Sequence, residues 1–170
     1  FSCLRFFILC HLIFSVKMKL EAVISKCSKY RYSLSREWNK DKQKVLFIML
    51  NPSKADDKID DPTVKRCICF AKNWGFGGLM IGNLFAYRTT YPKELFKTKN
   101  PVGKDNLKFL KRMIKSSNLT ICAWGNKQGL PPKYLRELTD LYYLKILSDG
   151  KTPAHPLRLK KDIKPQKFIF

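Results

Sequence analysis

The apolar positions of this chain fall into short continuous runs, and the runs alternate with stretches of helical spacing. Val45-Leu46-Phe47-Ile48-Met49-Leu50 is one such run, closed by Asn51-Pro52. A run too short for a typical helix and ended by Asn-Pro reads as a buried strand. Leu79 to Phe85, Leu119 to Trp124 and Tyr143 to Leu147 give three more. Between the first two runs, Asp61-Pro62 offers an N-cap with proline at the first helical position. Val64, Cys67, Ile68 and Ala71 then recur at helical spacing, and Gly75 ends the pattern. Leu107, Leu110 and Ile114 predict a second helix between Gly103 and Ser116. Pro131-Pro132 opens a third, with Leu135, Leu138, Leu141 and Tyr142 on its apolar side. Tyr30 to Lys44 reads as a polar stretch.

The predicted order is βαβαβαβ. Strands alternating with helices imply an α/β fold with three αβα layers, here a four-stranded parallel sheet covered on both faces. No repeat or low-complexity linker divides the chain, so residues 18–170 are expected to form one domain. Residues 1–17 stand apart. They are apolar but carry Arg5 and His11, and they are short for a membrane span. Met18-Lys-Leu-Glu reads as an ordinary start, which makes 1–17 an upstream leader on this reading, with a membrane anchor as the runner-up.

Four polar clusters follow the four apolar runs: Asn51-Pro52-Ser53, Asn83, Trp124-Gly125 and His155-Pro156. In an open parallel sheet, ligands bind in the crevice outside the carboxyl ends of the strands. The clusters are therefore expected to converge on one ligand site. Asn51 can hold a water by donating and accepting at once, or it can serve an Asx-type turn. Asn83, inside an apolar strand, can read the amide edge of a base or bond to neighbouring loops. Trp124 offers a stacking face or core bulk, and Gly125 permits close backbone approach. His155 lies in a proline-flanked loop with Lys151, Arg158, Lys160 and Lys161 nearby, a setting suited to an anionic ligand. Arg88 can contact phosphate or remain a surface charge. Asp56, Asp57, Asp60 and Asp61 read first as a helix cap with solvated acids. A divalent-ion site and an acid–base role for one of them are the alternatives. No metal or cofactor is expected.

Composition sharpens the partner class. With 45% apolar and 13% aromatic residues, the chain can bury a real core and is not a disordered polyelectrolyte. Its net charge is +21, from 34 Lys and Arg against 13 Asp and Glu. A field of that sign attracts polyanions, so nucleic acid or another phosphate-bearing ligand is the leading partner; a solvated lysine coat is the plainer alternative. None of the six cysteines forms a C-x-x-C pair, and Cys67-x-Cys69 is too little for a zinc site. That usage suits a reducing cytoplasm. A monomer is expected. The phosphate-loop, dinucleotide, zinc-protease and nucleophile-elbow signatures are absent.

Several blocks of residues resemble a known family. Tyr-Arg-Tyr-Ser-Leu-Ser-Arg (30–36), Met-Leu-Asn-Pro-Ser-Lys-Ala-Asp (49–56), Asp-Pro-Thr (61–63), Asn-Leu-Phe-Ala-Tyr-Arg (83–88), Asn-Pro-Val-Gly (100–103), Ala-Trp-Gly (123–125) and His-Pro-Leu (155–157) look like the bacterial and phage family known as domain of unknown function 1643. The same blocks, more distantly, resemble the uracil-DNA glycosylase superfamily. That resemblance implies a glycosylase-like sheet, DNA as the nucleic-acid partner, and hydrolysis of an N-glycosidic bond in it. It implies that Asn51, followed by Pro52, positions water. Asn83 would read the base, Trp124-Gly125 would end the third strand, and His155-Pro156 would stabilise the departing base. Leu157 or Arg158 would enter the nucleic acid as a wedge around a flipped nucleotide. Leu157 stands where that superfamily usually has Ser, and Ser53 where it has Gly or Tyr. The alternatives are a nucleic-acid-binding module without catalysis and an enzyme of free or modified nucleotides.

Overall fold

The computed structural model describes residues 18–125 and 128–170, so the leader reading of 1–17 lies outside the described residues. Seven strands form one sheet: β1 (Lys19–Ile24), β2 (Arg31–Glu37), β3 (Lys44–Met49), β4 (Gly78–Asn83), β5 (Leu119–Cys122), β6 (Tyr142–Tyr143) and β7 (Gln166–Lys167). The helices are α1 (Pro62–Asn73), α2 (Asn106–Lys115) and the short α3 (Lys133–Arg136), with 3-10 turns at Pro92–Lys97 and Pro156–Arg158.

The sheet order is β1-β2-β4-β3-β5-β6-β7. It corrects the expected four-stranded parallel sheet: the sheet is mixed and has seven strands. β4, β3, β5 and β6 pair in parallel. The β1–β2 hairpin adds antiparallel to β4, and β7 adds antiparallel to β6. These outer strands escape an apolar-run reading for a physical reason. β1 alternates exposed and half-buried residues, and β2 alternates serine with buried residues, so neither forms a continuous apolar run. The third helix is also shorter than predicted. The chain turns extended at Leu141, whose carbonyl accepts from Phe168 N–H beside the β6–β7 pairing. The fourth strand accordingly spans Tyr142–Tyr143 rather than 143–147.

β3 is the spine. Val45 to Ile48 are fully buried, and alternate residues serve opposite faces. Val45, Phe47 and Met49 pack with Val64, Cys67, Phe70 and Ala71 of α1. Leu46, Ile48 and Leu50 pack with Leu110, Met113 and Ile114 of α2. Each fully buried side chain of this size contributes about 1.5–3 kcal/mol relative to exposure. Gly82 lets α2 sit close on β4: a Cβ there would lie 2.6 Å from Leu110 Cδ2. α1 begins as its sequence predicts, with Asp61 Oδ1 accepting from Val64 N–H at 2.9 Å and Pro62 at the first position. Burial pushes the Cys67 and Cys122 thiols well above their ordinary range, which leaves them as small core hydrophobes. Among the described residues, no helix is long and apolar enough to cross a membrane.

Candidate functional site

The connections after β3 and β5 diverge. β3 leads to α1 on one face of the sheet, and β5 leads to α3, whose Leu135 packs on the α2 face. Divergent loops between adjacent parallel strands open a crevice at their carboxyl ends. A cavity of about 240 Å³ lies there, lined by Asn51, Ser53, Asp61 and His155, with Arg31 at its wall. Trp124, Thr63, Thr89 and Thr90 complete its polar lining.

Arg31 opens β2 and is 3% exposed. It donates to the Ala55 carbonyl at 2.7 Å and to Asn83 Oδ1 at 3.4 Å, while its Nε has no partner among the described residues. Burial lowers its pKa to about 10, against the opposing pull of the Asp61 carboxylate; Arg88 lowers it further. It remains a cation at neutral pH. Asp61 caps α1 through Oδ1 and also lines the cavity.

His155 stands at the exposed rim. Its Nδ1 accepts from Leu157 N–H at 3.4 Å, which leaves the ring proton on Nε2. The protein mass around the ring lowers its pKa below the ordinary histidine value, and Asp61 pulls the other way. The neutral, Nε2-protonated ring is therefore favoured at pH 7. The His155 loop is built from backbone contacts. Gly125 N–H donates to the Pro153 carbonyl at 2.8 Å. Gly125 has a φ of +60°, and a Cβ there would sit 3.0 Å from His155 Cβ. Asp149 accepts from the N–H groups of Lys151 and Thr152, and Thr152 Oγ1 accepts from Gly129 N–H at 3.0 Å.

The sequence-derived candidates occupy different layers. Asn51, Ser53, Trp124 and His155 line the cavity. Asn51 Nδ2 donates to the carbonyls of Thr89 at 2.7 Å and Pro52 at 3.0 Å, so its amide faces a ligand only with Oδ1. Trp124 is 1% exposed and gives its indole N–H to the Gly129 carbonyl, so it serves as core and wall together. Asn83 lies one layer behind, bonded to Arg31 through Oδ1, and its buried Nδ2 has no partner among the described residues. Pro52, Gly125 and Pro156 shape the backbone rather than line the cavity. Arg88 donates to the Ser28 carbonyl at the hairpin turn. Leu157 and Arg158 line a neighbouring groove of about 520 Å³ that shares His155, and Lys151 stays exposed on the preceding turn.

The aspartate loop resolves into separate duties. Asp56 accepts from Lys58 and Ile59 N–H, Asp60 pairs with Arg36 at 2.7 Å, and Asp61 caps α1. Among the described residues, no group of three or more His, Cys, Asp or Glu side chains is placed to hold a metal ion. Sequence reasoning assigned no role to Arg31, Thr63, Thr89 or Thr90. The one signal for Arg31 is its place in the 30–36 block, between two tyrosines.

A family model described as "Protein of unknown function (DUF1643)" matches residues 31–165. No curated protein and no solved structure matches this chain. The likeness to uracil-DNA glycosylases therefore rests on the residue blocks alone.

Proposed function

We propose a function for this chain, which belongs to the DUF1643 family of proteins of unknown function, from the cavity beyond β3 and β5. It takes a single nucleobase of a nucleic acid, and the protein hydrolyses the N-glycosidic bond that holds it. The observation that carries this reading is the facing of three unlike groups across one cavity: a buried arginine, a carboxylate and an Nε2-protonated histidine. The cavity has room for about eight waters at ~30 Å³ each, which suits one ring system and an attacking water. The net charge of +21 supplies the field that draws a polyanion to it.

In this reaction a water oxygen bonds to the sugar C1′ as the C1′–N bond breaks. The water proton passes to the Asp61 carboxylate, and the bond's electron pair leaves with the base. Asn51 Oδ1 orients the water by accepting its second hydrogen. His155 Nε2–H donates to the leaving base as negative charge develops on it. Arg31 donates from the buried side to an exocyclic carbonyl oxygen of the base. Asp61, read first as a cap through Oδ1, takes the base role here, because a neutral amide such as Asn51 accepts a hydrogen bond but cannot take the water proton.

The test is incubation of the full chain with single- and double-stranded oligonucleotides carrying a panel of modified bases. Abasic sites should appear with at least one base. Asp61→Asn and His155→Ala should each cut turnover by about 10²–10⁴-fold while unfolding transitions persist. Salt-sensitive binding without abasic product would replace this reading with the non-catalytic binding module. The absence of both would leave the free-nucleotide enzyme as the better reading.

A further inference from the structure

A second cavity, of about 330 Å³, lies on the α2 face between the first turn of α2, the end of β4 and the loop before α3. Its walls are mainly apolar, with Leu84, Phe85, Leu107, Leu110 and Pro132, and the exposed Gln128 and Tyr134 also line it. Asn106, 1% exposed, is its buried polar residue. Asn106 Nδ2 donates to the carbonyls of Asn83 at 2.9 Å and Leu84 at 3.1 Å. Those two carbonyls fix the amide's orientation, because the turned-over amide would set Oδ1 against two oxygens. Oδ1 is buried, and no donor among the described residues reaches it. A buried acceptor in this state has lost its hydration without replacement.

We infer that this cavity binds a flat, largely apolar molecule bearing one N–H or O–H donor, of the aromatic heterocycle or phenol class, with the donor taken by Asn106 Oδ1. Among the described residues the lining is mostly apolar and carries no charged side chain, so an ionised ligand would lose its hydration without compensation. An anion would also face the Oδ1 lone pairs. The volume equals about eleven waters at ~30 Å³ each, within the span of small-molecule sites. The inference uses no residue lining the first cavity and stands apart from the hydrolase reading.

The probe is indole, titrated into the isotope-labelled full chain and followed by amide chemical shifts. Benzofuran is the control, since it has the same shape and no donor. Indole is expected to bind saturably, shifting Leu107, Leu110 and the Asn106 side-chain amide. Benzofuran should bind about tenfold more weakly, the worth of one such hydrogen bond. Leu107 is half-exposed at the lip, so Leu107→Trp fills the cavity without touching the core. That variant should lose indole binding and keep its fold. Equal affinity for the two probes, no saturable indole binding at millimolar concentration, or undiminished binding by Leu107→Trp would each overturn the inference.

Discussion

Strand β2 buries an arginine near each end, and the two ends differ in kind. Arg36 is fully buried, and each of its three nitrogens donates a hydrogen bond. Its Nε meets Asp60 at 2.7 Å, and its other donors reach the carbonyls of Glu21, Ser35 and Asp56. Arg31 is almost as buried, but its firm contact is the Ala55 carbonyl, its Nε is unpartnered, and it opens onto a cavity. A buried cation with a carboxylate partner and an acceptor for each nitrogen holds structure together. A buried cation left short of acceptors, beside an open cavity, retains binding capacity for a ligand. Two residues of one type on one strand thus mark a closed region under the aspartate loop and a receptive one at the strand ends.

Arginine truncation sets the largest expected difference. Arg36→Met leaves Asp60 and several carbonyls buried without their donor, and should cost about 3–5 kcal/mol of stability. Arg31→Met orphans chiefly the Ala55 carbonyl, and should cost about 1–2 kcal/mol while removing ligand binding. Urea unfolding of both variants measures this directly. Equal losses would make Arg31 a second structural arginine and dissolve the contrast.

Asp61 sharpens the receptive end. Asparagine caps helices as well as aspartate does, so Asp61→Asn should change stability by less than about 0.5 kcal/mol. Turnover should still fall at least about a hundredfold, because the amide cannot accept the water proton. A variant that keeps its turnover would restrict Asp61 to capping α1. Gly125 offers a smaller lever on the same region. Its φ of +60° and the 3.0 Å approach to His155 Cβ leave a Cβ no room without displacing the histidine loop. Gly125→Ala should cost about 1–2 kcal/mol by calorimetry, with the shift confined to the cavity side.

How much of this was legible in the sequence depended on local signals. The β3 run, the Asp61-Pro62 cap and the α2 stripe were readable because one segment's own pattern specifies each. β2 was not. Its alternation of serine with Tyr32, Leu34 and Arg36 reads as polar until the partner strands are known. The gathering of Asn51, Ser53, Trp124 and His155 followed from strand-end logic, since β3 and β5 pair in parallel. Arg31 escaped for a tertiary reason. Its burial comes from β4 and the aspartate loop, and nothing in residues 30–44 records either contact. The engagement of both Asn51 donors was equally invisible, because Thr89 lies far along the chain.

The smallest effect tests whether the two ends of the contrast open independently. Hydrogen bonds from Thr152 Oγ1 and from the N–H groups of Lys151 and Thr152 hold the Asp149 carboxyl at about pKa 2. That folded value lies below the unfolded one, about 3.9. The stabilisation is therefore complete above about pH 4 and is lost as pH falls through about 2. The stability difference between wild type and Asp149→Ala should be flat at neutral pH and shrink over that acid window. Thr152 also accepts from the N–H groups of Gly129 and Leu147, so the variant loosens the loop that carries His155. Hydrogen exchange at neutral pH should quicken at the Gly125, Leu147 and Ala154 amides and stay unchanged at those of Arg36 and Trp38. Local opening of this kind requires a region whose bonds can break without the sheet core. Uniform quickening in both regions would make them one cooperative unit, and the readiness of the cavity end could not then be tuned apart from the closed end.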